Sequence, residues 1–181
     1  MNLEPWTIAS ELGSAPAGAG TGVARLLEAA VLAALDAARA PLPAIPVGGH
    51  LSVGDRWRAE IRMGGERHAE EAGLDRGHHL LFRLAEFAAK ALGAPALPAP
   101  AIRAFEDLAT RSPAALLTYL AGLGAAGTER KRHWQRAFEL DPAMVAPRAG
   151  LAEELLNPAS AAGHSGPPPR PSAGGEAGCP R

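Results

Sequence analysis

Cysteine is all but missing from this chain. Of 181 residues one is cysteine, Cys179, third from the end in a Gly/Pro-rich stretch. No internal disulfide can form, and a chain with so little cysteine suits a reducing compartment. Lysine is nearly as scarce, two residues against sixteen arginines. With alanine, glycine and proline abundant, that bias is explained by a GC-rich genome without invoking guanidinium chemistry. Nor does charge of either sign dominate. Eighteen basic against nineteen acidic residues give a net charge of -1, which removes the whole-chain electrostatic case for nucleic acid or anionic membrane. The longest apolar run, 23–40, is broken by Arg25, Glu28, Asp36 and Arg39, so it is not a membrane span. The amino terminus, MNLEPWTIASELG, has neither a positive leader nor an uninterrupted apolar core; it predicts no signal peptide and a cytoplasmic setting. Ser10, Ser52 and six histidines offer no recognisable arrangement of nucleophile, base and orienter. No catalytic residue is assigned.

What is present is organised by its punctuation. Residues 5–12 form a short apolar run suited to one strand, or by its periodicity alone equally to a helical turn, and 13–22, rich in Gly, Ala, Pro and Ser, read as a loop. From Gly22 the apolar residues Val23, Leu26, Leu27, Ala30, Val31, Ala34 and Leu35 recur every three or four positions. That spacing predicts a helix, capped by Thr21 and stopped by Pro41 and Pro43. Next, 50–53 and 57–63 flank Gly54-Asp55-Arg56, and Trp57, Ala59, Ile61 and Met63 alternate with Arg58, Glu60 and Arg62. Period two with one polar face predicts a half-buried β-hairpin, with a third, poorer strand over 67–72. A helix then begins at Asp75 or Gly77, carries Leu80, Leu81, Leu84, Phe87, Ala88, Ala91 and Leu92 on one face, and ends at Gly93 and Pro95.

The Pro-rich stretch 94–100 reads as a semi-rigid linker and a domain boundary. Beyond it everything reads as helical. Residues 101–110 carry Ile102, Phe105, Leu108 and Ala109; Ser112-Pro113 caps a helix running to Gly124 with Leu116, Leu117, Leu120 and Leu123 inward. Thr128 opens another helix, whose buried side is expected to be Trp134, Ala137, Phe138 and Leu140. Pro142 ends it, and Met144, Val145, Leu151, Leu155 and Leu156 mark the last. From Asn157 onward the composition collapses to Gly, Pro, Ser and Ala. It predicts a disordered tail over 157–181, because ordering costs roughly 1–2 kcal/mol per residue with little apolar burial to offset it.

The stretch Trp134-Gln-Arg-Ala-Phe-Glu-Leu-Asp-Pro142 resembles the second helix of a tetratricopeptide repeat, with Leu117, Trp134, Ala137 and Pro142 at matching positions. In such a repeat the aromatic fills space between paired helices, the small residue permits close approach, and the proline ends the unit. Ala114, Thr118, Ala121 and Arg130 depart from the pattern. Of these, Arg130 is the serious one, since a guanidinium at a close helix contact must snorkel outward or shift the packing. Over more of the chain, the Gly-flanked hairpin 48–62, the helix 80–92, Tyr119-Leu-Ala-Gly122 and then the repeat are similar to a bacterial architecture in which a TolB amino-terminal-like α/β domain precedes tetratricopeptide repeats. The usual first-strand Pro-Phe is missing from 6–12, and a strand and helix expected between Arg39 and Gly48 are missing too. The resemblance implies a scaffold or regulator that binds protein, and it transfers no catalytic residue.

Three other clusters and one motif invite chemical readings. Gly18, Gly20 and Gly22 before a helix resemble a glycine-rich loop for a nucleotide or S-adenosylmethionine, but Val23 stands where G-x-G-x-x-G needs glycine and no Lys-Ser/Thr pair follows. His68, Glu70, Glu71, Asp75, His78 and His79 are possible metal ligands without a metal-site spacing, and read better as a solvated strand end and helix start. Arg130, Lys131, Arg132, His133 and Arg136 form the one concentrated basic patch, suited to phosphate or an acidic peptide. Pro-Pro-Pro-Arg-Pro at 167–171 has the form of a polyproline ligand within a biased tail.

The expectation is an α+β protein: a small mixed α/β domain with a β-hairpin over 1–93, a linker over 94–100, and a short tetratricopeptide-like array over 101–156. Its function is expected to be non-enzymatic: an adaptor or regulator gripping a protein segment between helices 112–127 and 143–156. Tyr119, Arg130, Arg132 and Arg136 are the candidate partner contacts. No cofactor or metal is expected, nucleic acid is disfavoured, and a homo-oligomer is allowed because solenoids need about three repeats. The rival is a small-molecule binder or transferase using Gly18, Gly20 and Gly22.

Overall fold

The computed structural model describes residues 2–3, 6–11, 13–41 and 46–156. The class is α+β, with a mixed sheet covered on one face by helices. The sheet runs β1 (Asn2–Leu3), β2 (Thr7–Ser10), β3 (Pro46–Val53), β4 (Trp57–Met63) and β5 (Glu66–Ala72). β1 and β2 pair in parallel with successive stretches of β3, so they form one edge line; β3, β4 and β5 follow as an antiparallel meander. Five strands therefore occupy four positions. A parallel pair needs a crossover, and α1 (Ala19–Ala38) supplies it between β2 and β3.

The alternation read from β4 holds residue for residue: Trp57, Ala59, Ile61 and Met63 are buried beneath helices while Arg58 and Arg62 face solvent. The outer face is a lattice of paired charges. Arg58 bonds Glu71 at 3.3 Å and Asp55 at 2.9 Å, and Glu60 takes both Arg62 and Arg67. Exposed pairs of this kind contribute little to stability, but they keep this face soluble.

On the inner face lie α1 and α2 (Gly77–Ala91), the latter entered through a 3-10 turn at Leu74–Arg76. Trp57 Nε1 donates to the Leu74 carbonyl at 3.0 Å, tying the hairpin to that turn. Four further helices follow: α3 (Ala99–Glu106), α4 (Pro113–Gly124), α5 (Gly127–Leu140) and α6 (Val145–Leu156). As expected, Ser112 caps α4, its Oγ accepting from the Ala115 amide, with Pro113 first in the helix.

Two departures from the sequence expectation stem from the way α4 is buried. Ala115, Leu116, Leu117, Thr118, Leu120, Ala121 and Gly122 are all buried, so α4 is apolar around most of its circumference rather than along a single stripe. Such a helix needs cover on opposite sides, and α1 and α5 provide it. One apolar core consequently runs from Trp6 to Ala146. The stretch 94–100 is therefore no boundary between separate cores: Ala94 and Leu97 are buried in the shared one, and α3 already starts at Ala99. In addition, α1 begins at Ala19, before Thr21, with Gly18 as its cap in the left-handed region at φ 85°. Gly20 and Gly22, expected in a loop, thus belong to a helix.

Candidate binding groove

Of the positions matched to a tetratricopeptide repeat, Leu117, Trp134 and Ala137 are buried, Ala137 with no exposure at all. The indole of Trp134 lies between two glycines: a Cβ on Gly122 of α4 would come within 2.5 Å of its Nε1, and one on Gly150 of α6 within 2.6 Å of its six-membered ring. Tyr119 stacks on it at 5.8 Å between centroids. Burial pushes the Tyr119 phenol up to about 12, with Asp107 and Glu153 adding to the effect. Tyr119 is thus a packing partner of Trp134, and the space between α4 and α6 that sequence reasoning gives to a partner holds the chain's own indole.

Arg130 meets the sequence-level conflict in a specific way. Its guanidinium lies 5.7 Å above the Trp134 ring while Nε and Nη2 donate to the Ala125 carbonyl at 3.2 and 3.0 Å. A cation over an indole that also satisfies a carbonyl at the end of the preceding helix is a structural clamp. Elsewhere on the basic patch, Arg136 pairs with Glu139 at 2.9 Å and His133 sits 3.9 Å from Glu129, while Arg132 faces solvent. That patch is a charged helix face that stays net positive, with Arg130, Lys131, Arg132 and Arg136 against Glu129 and Glu139 on its own helix. Phe138, expected inside, is instead 37% exposed, and Pro142 is exposed at the turn.

Gly18, Gly20 and Gly22 do not border a ligand space. A Cβ on Gly22 would overlap the Leu120 carbonyl of α4 and stand 2.6 Å from its carbonyl carbon; one on Gly20 would overlap the Trp6 carbonyl. Gly20 and Gly22 let the α1 backbone touch the edge strand and α4, which corrects the reading of a nucleotide loop. The histidine and acid cluster also divides. His68 bonds Glu70 at 2.9 Å and stacks flat on Phe87 at 4.3 Å, whereas His78 and His79 adjoin α3. Among the described residues no group of three or more His, Cys, Asp or Glu is placed to hold a metal ion. Residues 167–171 and Cys179 lie outside the described residues.

Three open concavities lie elsewhere, each sharing bordering residues with the next. A recess of 440 Å³ is bordered by His78, His79 and Phe82 of α2 and by Ile102, Phe105 and Glu106 of α3, with Ala109 at its end. His78 and Ala109 also border a wider cleft of 710 Å³ lined by Asp75, Thr110, Arg111, Ser112, Leu140, Asp141 and Ala143. In the other direction Ile102 and Glu106 lead to a shallow surface over Ala99, Pro100 and Arg103. Through these common residues the three lie side by side as a groove from the start of α3 to the α5–α6 joint. The floor of the 440 Å³ recess is apolar, with Phe82 meeting Phe105 edge-on at 5.9 Å.

Two polar groups stand out in the wider cleft, Asp141 at its far end and His78 where it meets the recess. Asp141 accepts from the Thr110 hydroxyl and from the Ala143 amide at 3.0 Å. The Thr110 bond above all holds its carboxyl below the usual carboxylate value. It thereby ties the loop before α4 to the turn before α6. His78 Nδ1 is buried without a hydrogen-bond partner among the described residues. Burial, then His79, lowers its pKa, so the ring is neutral at neutral pH. Sequence reasoning misses this groove because its walls are distant in the chain. The one local signal is a pair of helices, 77–91 and 99–106, each with an aromatic outside its main apolar stripe or at its edge.

Among the described residues, no helix is long and apolar enough to cross a membrane. Comparison of the chain with protein-family models, with curated proteins and with solved structures returns no match in any of the three.

Proposed function

We propose that the chain is a non-enzymatic adaptor or regulator that binds a peptide segment of a protein partner in the groove along α3, in a cytoplasmic setting that its single cysteine suits. The observation that carries this reading is the groove itself: an apolar floor of Phe82, Ile102 and Phe105 with Glu106 and Arg103 exposed on its rim. A few apolar anchors in a recess and a polar rim are what short peptide recognition requires. In this reading α4, α5 and α6 form a degenerate tetratricopeptide-like hairpin array that braces the groove through Asp141. The order of strand, helix, hairpin, helix and then helical pairs supports the kinship with TolB amino-terminal-like domains joined to such repeats.

The test is selection of random displayed peptides on the full chain, followed by rebinding to Ile102→Glu and to the double variant Arg132→Glu/Arg136→Glu. Binding lost on the first and kept on the second fits the groove. The opposite pattern would move the site to α5, and saturable binding of a nucleotide or S-adenosylmethionine would favour a small-molecule function.

A further inference from the structure

We propose that the groove also takes a segment of this same chain, Pro-Pro-Pro-Arg-Pro at 167–171, which acts as an internal competitor of any partner. The inference rests on the reading of the groove as a peptide site.

Three at least partly exposed rings, His78, His79 and Phe82, border the 440 Å³ recess above the buried Phe105. Aromatic-lined grooves are matched to proline-rich segments, whose pyrrolidine rings lie flat on the aromatics and whose extended helix loses little entropy on docking. Residues 157–181 contain no Leu, Ile, Val, Met, Phe, Trp or Tyr, so proline rings are the bulkiest apolar groups this segment can offer. That composition does not suit the open surface at Phe138 and Val145, and it does suit a recess of rings.

Charge points to the same place. The run of prolines carries one cation, Arg170. Beside the rings stands Glu106, in no ion pair among the described residues. Asp75 and Asp141 lie further along the groove together with Arg111, and Arg103 one helical turn back from Glu106, so Glu106 is the carboxylate a guanidinium meets beside the rings. Reach is sufficient. Ala143 lines the groove just before α6, and twelve residues of α6 carry the chain about 18 Å away at the helical rise. The ten residues 157–166 can span up to about 33 Å when extended. A tether of this kind sets an effective concentration in the region of ~1 mM, so even a weak contact is populated within one molecule.

The chain's one cysteine provides the test. A nitroxide attached to Cys179 of the full chain lies eight residues beyond Pro171. The expected result is paramagnetic broadening of the Ile102 methyl signal that does not change on dilution, is lost in Arg170→Glu, and returns in the double variant Arg170→Glu/Glu106→Arg. Absence of broadening overturns the proposal, as does broadening that survives Arg170→Glu. Broadening that grows with concentration overturns it in favour of a second copy's tail. Any of these failures leaves the groove free and the adaptor reading standing. That reading fails separately, when selected peptides bind Ile102→Glu as well as the parent chain.

Discussion

Adding a single methyl group at Gly22 sets two physical effects against each other. Within a helix, Gly→Ala normally stabilises, by about 1 kcal/mol. Here the new Cβ would overlap the Leu120 carbonyl and stand 2.6 Å from its carbon. Neither atom is the end of a flexible side chain, so α1 and α4 must separate. Separation would loosen Val23, Leu27, Leu116 and Leu120, all 2% exposed or less, and stretch the 2.7 Å bond from Arg25 to the Leu123 carbonyl. Overpacking of this kind costs about 1–3 kcal/mol, and a contact against backbone belongs at the upper end. After the propensity gain, Gly22→Ala should destabilise by about 2 kcal/mol. Urea unfolding followed by tryptophan fluorescence is a suitable assay, because Trp6, Trp57 and Trp134 are all buried. With a slope near 2 kcal/mol per molar the midpoint falls by about 1 M. Ala33→Gly on the exposed side of α1 calibrates propensity alone, at about 1 kcal/mol. A midpoint that rises in Gly22→Ala would refute the close-contact argument and restore Gly18 to Gly22 as a candidate ligand loop.

Four further outcomes are expected. Trp134→Ala should cost about 3–5 kcal/mol by calorimetry or urea unfolding, since the indole fills the space between Gly122 and Gly150. Asp141→Asn replaces a charged acceptor of the Thr110 bond by a neutral one and should cost about 1 kcal/mol by urea unfolding. The pKa of His78 lies below its ordinary 6.5, so the unfolded chain binds more protons than the folded one as acid is added. Stability is whole above pH 6.5, falls as pH drops towards the folded value, and should fall less in His78→Gln when thermal midpoints are compared across that range. Arg39 closes α1 in the left-handed region at φ 52°; Arg39→Gly should therefore stabilise by about 0.5–1 kcal/mol, read as a rise in thermal midpoint.

The hairpin and α2 are legible in the sequence because their information is local. β4 alternates strictly, and 77–91 keeps one apolar face from Leu80 to Ala89. The stretch 94–100 misleads for a related reason. Proline content describes local stiffness, whereas Ala94 and Leu97 are fixed by burial against elements far away in the chain. Glycine carries the most ambiguous signal. At Gly18 it serves a left-handed backbone, but at Gly22, Gly122 and Gly150 it serves close approach, and composition cannot separate a flexible glycine from a crowded one. Arg130 stands out as a conflict in sequence and in structure alike. Its solution, a guanidinium over Trp134 that also holds the Ala125 carbonyl, needs the three-dimensional position of both groups. The groove as a whole cannot be assembled from sequence, because His78, Ile102, Thr110 and Asp141 come from four separate segments.

The central claim is that peptides bind along α3 on the floor formed by Phe82, Ile102 and Phe105. Its most direct test is the dissociation constant of one selected peptide for the full chain, for Ile102→Glu and for Arg132→Glu/Arg136→Glu. A carboxylate on the apolar floor should weaken binding at least about tenfold, equivalent to about 1.4 kcal/mol, with the α5 variant unchanged. Equal affinity for the parent chain and Ile102→Glu would contradict the account.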